Sequence, residues 1–302
     1  MKKIALIIIF ILSICNCLAY PITPRPLRQL IIESQYIISG KVISVTELER
    51  DPNYHTAKAQ AKIEITQVFK GNLQKQFMEV LFDNYIGCPQ PAHYKPNTLV
   101  IAFLDFEKDK FFTHALSYGS KTLEANDIEV YKERILEMQR ILEIKDQLKQ
   151  YEETLDWLIT CVENPATQWE GVFELSPQSN FMSFYSQGKQ IDFGQFLSKN
   201  QKERLLKVLK KKDFFNYGDF GIIDLVYTGN EQFIDNRLIE SLSKLDEFEL
   251  LFTNEYMQRL KHLIAPKLFE KYLEKAEKYS IEFGKEKKQK KNIANFIASI
   301  RK

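Results

Sequence analysis

The sequence predicts an α+β multidomain chain in which a small five-stranded antiparallel β-barrel precedes an all-α domain. Two observations predict this arrangement. Short apolar runs bounded by turn residues recur up to about residue 120, and in Ala59–Ile65 every second residue is apolar, as in a strand with one wet face. After Glu124 the composition changes, because no glycine or proline occurs before Pro165 and apolar residues take helical spacing.

Length and composition limit the number of domains. The chain has 302 residues, enough for about two domains of roughly 100–200 residues each. Its 44% hydrophobic and 27% charged residues are typical of a globular protein rather than a disordered one. We therefore predict a signal peptide at 1–19, a barrel at 20–125 and a helical domain at 126–302.

The first residues have the pattern of a secretory signal peptide. Met1–Lys3 is basic, and Ile4–Ile14 is an apolar run too short to span a bilayer. Cleavage before Tyr20 is the plain prediction, and a lipid anchor on Cys15 or Cys17 is less favoured because neither cysteine follows a small residue. No later run approaches the roughly 18 apolar residues of a membrane span. We expect an extracytoplasmic protein, either secreted or periplasmic.

The chain has four cysteines, and an oxidising compartment makes a disulfide their natural use. The candidate pairs are Cys88 with Cys161, or Cys88 with Cys15 or Cys17. If cleavage falls before Tyr20, only Cys88 and Cys161 remain. The sequence does not choose among these pairings.

The predicted elements of the barrel follow a stiff, proline-containing entry segment. A short helix is predicted at Leu27–Ser34. The five predicted strands are Ile37–Val45, Lys58–Val68, Met78–Phe82, Thr98–Leu104 and Phe111–Leu116.

The predicted elements of the second domain are helical. Glu124–Cys161 predicts one long helix or two helices with a bend, and Trp169–Tyr185 is ambiguous. Ser198 with Gln201 forms a capping-box pattern at the start of a helix. The further helices are predicted at Lys202–Lys211, Phe220–Tyr227, Arg237–Leu245, Tyr256–Ile264, Lys267–Tyr279 and Ile293–Ile300. Short helices with brief links suggest a helical array of HEAT type, although no consensus repeats. The lysine-rich Gly284–Lys291 is expected to be a solvated linker.

The first domain resembles a bacterial netrin-like OB module, the fold of tissue inhibitors of metalloproteinases. The resemblance covers about Cys15 to Glu124. It is carried by the order of Ile38–Val42, Gln67–Gly71, the Cys88 loop, Lys95–Val100, Phe112–His114 and Leu123–Glu124.

The resemblance implies a possible inhibitory function. Inhibitors of this family chelate a target zinc through the amine and carbonyl of the first cysteine in an N-terminal Cys-x-Cys. Cys15-Asn16-Cys17 is the only match here, and it requires cleavage directly after Ile14, a poor residue for signal peptidase. A later cysteine of the family pattern is absent, with Ser117 and Ser120 in that region. We therefore carry over the fold and keep the inhibitor as an alternative.

A search for chemistry finds no catalytic set. Cys88 and His93 amount to half a metal site, and the other histidines lie far away in sequence. No phosphate-binding glycine loop, G-x-S-x-G or H-E-x-x-H motif is present. We expect no enzyme activity, no metal and no cofactor.

The charge balance argues against a nucleic-acid partner. The chain has 42 Lys and Arg and 40 Asp and Glu, and removal of Lys2 and Lys3 with the leader gives 40 of each. The main hypothesis is an exported, non-catalytic protein-binding or scaffold protein whose partner is another extracytoplasmic protein. A third hypothesis is an OB module that binds an oligosaccharide or oligonucleotide. The available aromatics for that are Tyr36, Phe69, Tyr85 and Tyr94. The oligomeric state stays open.

Overall fold

The computed structural model describes residues 23–49, 58–84, 90–179, 191, 193–282 and 284–301. Within them, the predicted fold class is confirmed, because a small barrel at residues 36–123 is followed by a long helical region. The predicted leader lies outside the described residues. No helix in the described ranges is both long and apolar enough to cross a membrane.

One sheet closes into the barrel. Its strand order is β1-β2-β3-β5-β4-β6, and β1 also pairs with β4. All pairings are antiparallel except the parallel pair β3–β5. The strands are β1 Tyr36–Glu47, β2 Ala59–Lys70, β3 Phe77–Phe82, β4 Leu99–Glu107, β5 Lys110–Thr113 and β6 Ser120–Leu123.

Six strand segments fill five strand positions. β5 and β6 pair with opposite ends of β4, so together they form one interrupted strand. The interruption is a 3₁₀ turn at Leu116–Gly119, which Ala115 and Leu116 enter with φ of 53°. β5 ends at Thr113, and the left-handed backbone at Ala115 and Leu116 is incompatible with an extended strand, so the predicted continuation of strand five through Leu116 is wrong.

Glycine at position 40 permits the closure. β1 pairs with β2 along its whole length and with β4 through Tyr36–Lys41. The register shifts between Ser39 and Gly40. A Cβ on Gly40 would clash with the Glu64 carbonyl. A larger residue would therefore disrupt the irregularity that bends the strand.

The barrel interior is a closed apolar core. The side chains alternate along β2, with Ala59, Ala61 and Ile63 fully buried. The remaining buried core residues are Ile38, Val42, Met78, Val80, Phe82, Ala92, Tyr94, Val100, Ala102 and Leu104.

Ten α-helices lie in the described ranges. Of the two alternatives predicted for Glu124–Cys161, the structure has two helices. The prediction of a solvated linker at Gly284–Lys291 is wrong, because the last helix begins at Glu286 and most of these lysines lie in its first turns. The helices are α1 Leu27–Glu33, α2 Ala125–Leu142, α3 Gln147–Glu163, α4 Gln168–Leu175, α5 Lys199–Lys210, α6 Phe220–Val226, α7 Gln232–Ser243, α8 Thr253–Arg259, α9 Pro266–Ile281 and α10 Glu286–Ile300. The predicted capping box of Ser198 and Gln201 is confirmed.

The contacts divide the chain into two compact units. The barrel unit is Met1–Glu174 with Phe181–Asp192, and the helical unit is Leu175–Asn180 with Phe193–Lys302. The boundary predicted at 125/126 marks the change from strand to helix, whereas the contacts group α2 and α3 with the barrel.

A buried carboxylate joins α1, β6 and α2 to α4 in the barrel unit. Glu170 accepts hydrogen bonds from the Leu27 backbone N–H at 2.7 Å, from Lys121 Nζ at 2.8 Å and from the Tyr131 hydroxyl at 3.1 Å. Its side chain is buried, and so is most of the Lys121 side chain. This arrangement compensates the cost of burying the charge.

In the helical unit, polar side chains hold α10 against α9. Asn292 Nδ2 donates to the Tyr272 carbonyl at 2.9 Å, and Gln289 Nε2 donates to the Ala276 carbonyl at 3.3 Å. Phe296 on α10 is fully buried, and its ring packs edge-on against the ring of Tyr272 on α9. The last helix therefore docks on the array, as its amphipathic pattern predicted.

Candidate functional site

A groove in the helical unit combines exposed apolar groups with carboxylates, and we call it the acidic groove. It has a volume of about 400 Å³, which is in the range of ligand pockets. Its lining residues are Glu247, Phe248, Leu250, Leu251, Tyr279, Ser280, Glu282, Glu286 and Gln289.

One wall of the acidic groove is a 3₁₀ turn that presents apolar side chains to solvent. The turn spans Glu249–Phe252, and Asp246 caps it by accepting the Glu249 backbone N–H at 2.8 Å. Leu250 faces the core, whereas Phe248 is 70% exposed and Leu251 is 53% exposed. Exposed large apolar side chains that line one groove are typical of an interaction site.

The rim of the acidic groove carries three carboxylates and no lysine or arginine among its described lining residues. Among the described residues, Glu282 forms an ion pair with Lys285, whose Nζ lies 3.5 Å away. Glu286 accepts the Gly284 backbone N–H at 3.2 Å. Glu247 makes no ion pair with a described residue. The described lining of the groove is therefore acidic, whereas lysines flank Glu286 and Gln289 along the sequence and the chain as a whole is nearly neutral.

A buried amide with an unused acceptor lies in the lining of the groove. Gln289 is 1% exposed, and its Nε2 donates to Ala276 on α9. Its Oε1 has no hydrogen-bond partner among the described residues. A buried acceptor without a partner costs about 1–3 kcal/mol. Such an atom therefore requires an explanation, and a ligand donor is one.

A second depression of about 450 Å³ lies on β2, β3 and β5 of the barrel unit. Lys62 Nζ lies 5.1 Å from the centroid of the Phe77 ring, which is 40% exposed. The lining also includes Phe111 and two further lysines, Lys75 and Lys110. The positive charge of the lysines is offset by Glu79 and Asp109. This barrel face has aromatic rings beside cations without a strong net charge.

The structure places one of the four predicted disulfide residues. Cys161 is a free, fully buried thiol on α3, and burial raises its pKa well above the ordinary value. A buried neutral thiol is unreactive. Cys15, Cys17 and Cys88 lie outside the described residues, so the predicted pairings stay predictions.

Histidines that lie apart in sequence have acidic partners in space. His114 Nδ1 lies 2.7 Å from Asp105 and its Nε2 lies 3.3 Å from Glu33. The hydrogen bond to Asp105 raises the pKa of His114, and Glu33 adds to this effect, whereas burial lowers the pKa; the net direction is upward. In the described ranges, no group of three or more His, Cys, Asp or Glu residues could hold a metal ion.

In the helical unit, the Tyr227 hydroxyl donates to Asp235 at 2.6 Å and lies 2.8 Å from His262 Nε2. Burial and then Asp235 raise the pKa of Tyr227. The cluster is a hydrogen-bonded tie between α6, α7 and the turn after α8.

Of the four predicted aromatic residues, the structure describes Tyr36, Phe69 and Tyr94; Phe69 is half-buried, and Tyr94 is not exposed to a ligand. Tyr94 is buried, with its hydroxyl 2.8 Å from Thr113 Oγ1, and burial raises its pKa. Tyr36 packs edge-on against Phe111, and Tyr85 lies outside the described residues. Sequence reasoning missed Phe77 on the barrel face. It also missed Phe248 and Gln289, whose position in one groove depends on tertiary packing.

No protein-family model matches this chain, and no curated protein matches it either. The interpretation of the site therefore rests on the residues and their geometry.

Proposed function

We propose that this chain is an exported, non-catalytic binding protein whose acidic groove holds a segment of another protein. The observation that carries the proposal is the exposure of Phe248 and Leu251 side by side on one capped turn. Burying such side chains stabilises a complex by about 25 cal/mol per Å² of apolar area removed from water. Interfaces concentrate binding energy in a few aromatic and aliphatic anchors of this kind.

Export is supported by the basic start and the apolar run Ile4–Ile14. The netrin-like assignment of the barrel is supported by the OB-like strand order together with the sequence resemblance. Zinc-protease inhibition is the alternative, and it requires Cys15 at the mature N-terminus. N-terminal sequencing of the exported chain separates the two, since a start at Tyr20 excludes the inhibitor.

Site-specific photocrosslinking tests the proposed function. A benzophenone amino acid at position 248, in the full chain expressed in its own host, should crosslink to a protein. The same group at Leu148, which is exposed on α3 of the barrel unit, is the matched control. One defined adduct from position 248 that is absent from position 148 supports the proposal. Equal labelling from both positions, or none from either, contradicts it.

The barrel face is a second candidate site, for an oligosaccharide. The observation that favours it is the exposed Phe77 ring beside Lys62, because sugars and bases stack on aromatic rings of OB barrels. Binding of an anionic oligosaccharide that is lost in Phe77→Ser and reduced in Lys62→Glu would support this function. Retention of binding in both variants would exclude it.

A further inference from the structure

We infer that the acidic groove selects a basic segment that carries an apolar anchor, and that Gln289 accepts a hydrogen bond from this segment. The inference rests on the proposed function and names the partner's chemistry. The partner is a lysine- or arginine-bearing stretch of polypeptide with a large apolar side chain. Two independent observations support it, the charge of the rim and the unused acceptor of Gln289.

The carboxylates at the rim determine the sign of the charge that the partner must carry. Glu247, Glu282 and Glu286 line a groove of about 400 Å³, and Lys285 pairs with only one of them. An acidic segment would be repelled by the rim. A basic segment gains from complementarity, which steers association and rejects wrong partners. Exposed charges are screened by salt, so this part of the affinity should fall as ionic strength rises.

Gln289 determines where the donor lies. Its Oε1 is a buried acceptor without a partner, whereas its Nε2 makes a 3.3 Å bond to the Ala276 carbonyl, near the long end of the range for N–H donors. Gln289 lines the groove, and the last torsion of glutamine is soft, so its amide can adjust to a donor that enters there. A cationic N–H donor satisfies the acceptor with a stronger bond than a neutral donor does.

Phe248 and Leu251 fix the apolar part of the segment. Phe248 and Leu251 line the groove from the 3₁₀ turn, which Glu247 precedes, whereas Glu282 directly follows α9 and both Glu286 and Gln289 lie on α10. A segment with one large apolar side chain between basic residues would place the apolar group on this wall and the cations at the rim. This is the anchor-and-rim pattern of protein interfaces.

Three labelled probe peptides test the inference on the full chain by fluorescence anisotropy. Each has roughly 14 residues, about four helical turns, and the same leucine face, with the polar positions all Lys, all Gln or all Glu. We expect the Lys peptide to bind about tenfold more tightly than the Gln peptide at low salt, and the Glu peptide to bind most weakly. The difference should shrink at high salt.

Two variants separate this inference from the proposed function. Phe248→Ser with Leu251→Ser should weaken all three peptides, because it removes the apolar wall. Gln289→Met keeps the volume but removes the acceptor, and should weaken the Lys peptide about 3–10-fold. Gln258→Met, on the exposed surface of α8, is the matched control and should change nothing. Thermal unfolding checks that every variant folds.

Each pattern of results decides one point. Equal affinities for the three peptides, all lost with the double serine variant, would overturn the inference and leave the proposed function standing. The Lys, Gln, Glu order with an unaffected Gln289→Met variant would overturn the role of Gln289. Absence of binding by any peptide at millimolar concentration would contradict the proposed function as well.

Discussion

Glu170 is predicted to be the residue on which the packing of helices against the barrel depends most. It lies on α4 and accepts three hydrogen bonds, from Leu27 on α1, Lys121 on β6 and Tyr131 on α2. Removal of its carboxylate leaves the mostly buried Lys121 ammonium and the Leu27 backbone N–H without this acceptor, whereas the Tyr131 hydroxyl keeps the Ala166 carbonyl at 3.1 Å. Breaking a buried ion pair from one side typically costs about 3–5 kcal/mol.

Two substitutions give a graded series. Glu170→Ala should lower the free energy of unfolding of the barrel unit by about 3–5 kcal/mol. Glu170→Gln keeps one acceptor oxygen but places an amide N–H₂ against a donor, so we expect a loss of about 1–3 kcal/mol. Glu129→Gln is the matched control. Glu129 is an exposed residue on α2 whose ion pair among the described residues is with Lys132 at 3.5 Å, and the loss of its charge should cost less than about 0.5 kcal/mol.

Tryptophan fluorescence during urea unfolding measures these losses selectively. The chain has two tryptophans, and both Trp157 and Trp169 belong to the barrel unit. With a urea dependence of roughly 1–3 kcal/mol per molar, Glu170→Ala should lower the unfolding midpoint by about 1 M or more. A midpoint for Glu170→Ala within the scatter of Glu129→Gln would refute the role given to this network.

Four further predictions concern stability. The raised pKa of His114 means that its protonated form stabilises the barrel unit fully below about pH 6.5, and that this contribution is lost as the pH rises through the higher folded-state pKa. His114→Gln should therefore reduce the dependence of the urea unfolding midpoint on pH between about pH 5.5 and 8.5. Gly71→Ala should destabilise the barrel unit by more than about 1 kcal/mol, because Gly71 has φ of 87° and a Cβ would clash with the Tyr36 ring; Gly229→Ala has similar φ but open space, and should have the smaller effect on its own unit. Arg259→Lys should cost the helical unit about 1–2 kcal/mol in thermal or urea unfolding followed by circular dichroism, because lysine cannot reproduce the two bonds to Asp224 at 2.6 and 2.9 Å; an unchanged midpoint would contradict this role. Ser198→Ala removes the cap of α5 and should cost about 1 kcal/mol in the same assay, with no loss if the box does not contribute.

The strands and helices could be predicted from local patterns because each has a periodic apolar face. The alternation Ala59, Ala61, Ile63 gives β2 its buried side, and the box at Ser198 marks the start of α5. The errors fall where local pattern does not decide. Left-handed residues at Ala115 and Leu116 interrupt strand five. The lysines at the start of α10 are compatible with either a linker or a helix. The packing of the buried face of α10 determines that they are helical.

The candidate site could not be predicted in the same way. Phe248 and Gln289 lie 41 positions apart, and only the packing of the 3₁₀ turn near α9 and α10 places them in one groove. A buried glutamine with an unused acceptor has no sequence signature, because the pattern around it is that of any amphipathic helix. The cysteines drew attention in the sequence because they are few, and the one that the structure describes, Cys161, is buried and unreactive.

Hydrogen–deuterium exchange of the full chain, with and without a saturating concentration of the Lys peptide, tests the central claim most directly. If the acidic groove is the binding site, slower exchange should appear in the segments around Phe248 and Gln289, and the double serine variant should abolish it. Slower exchange on β2 and β3 instead would assign binding to the barrel face. Unchanged exchange throughout the helical unit would contradict the account.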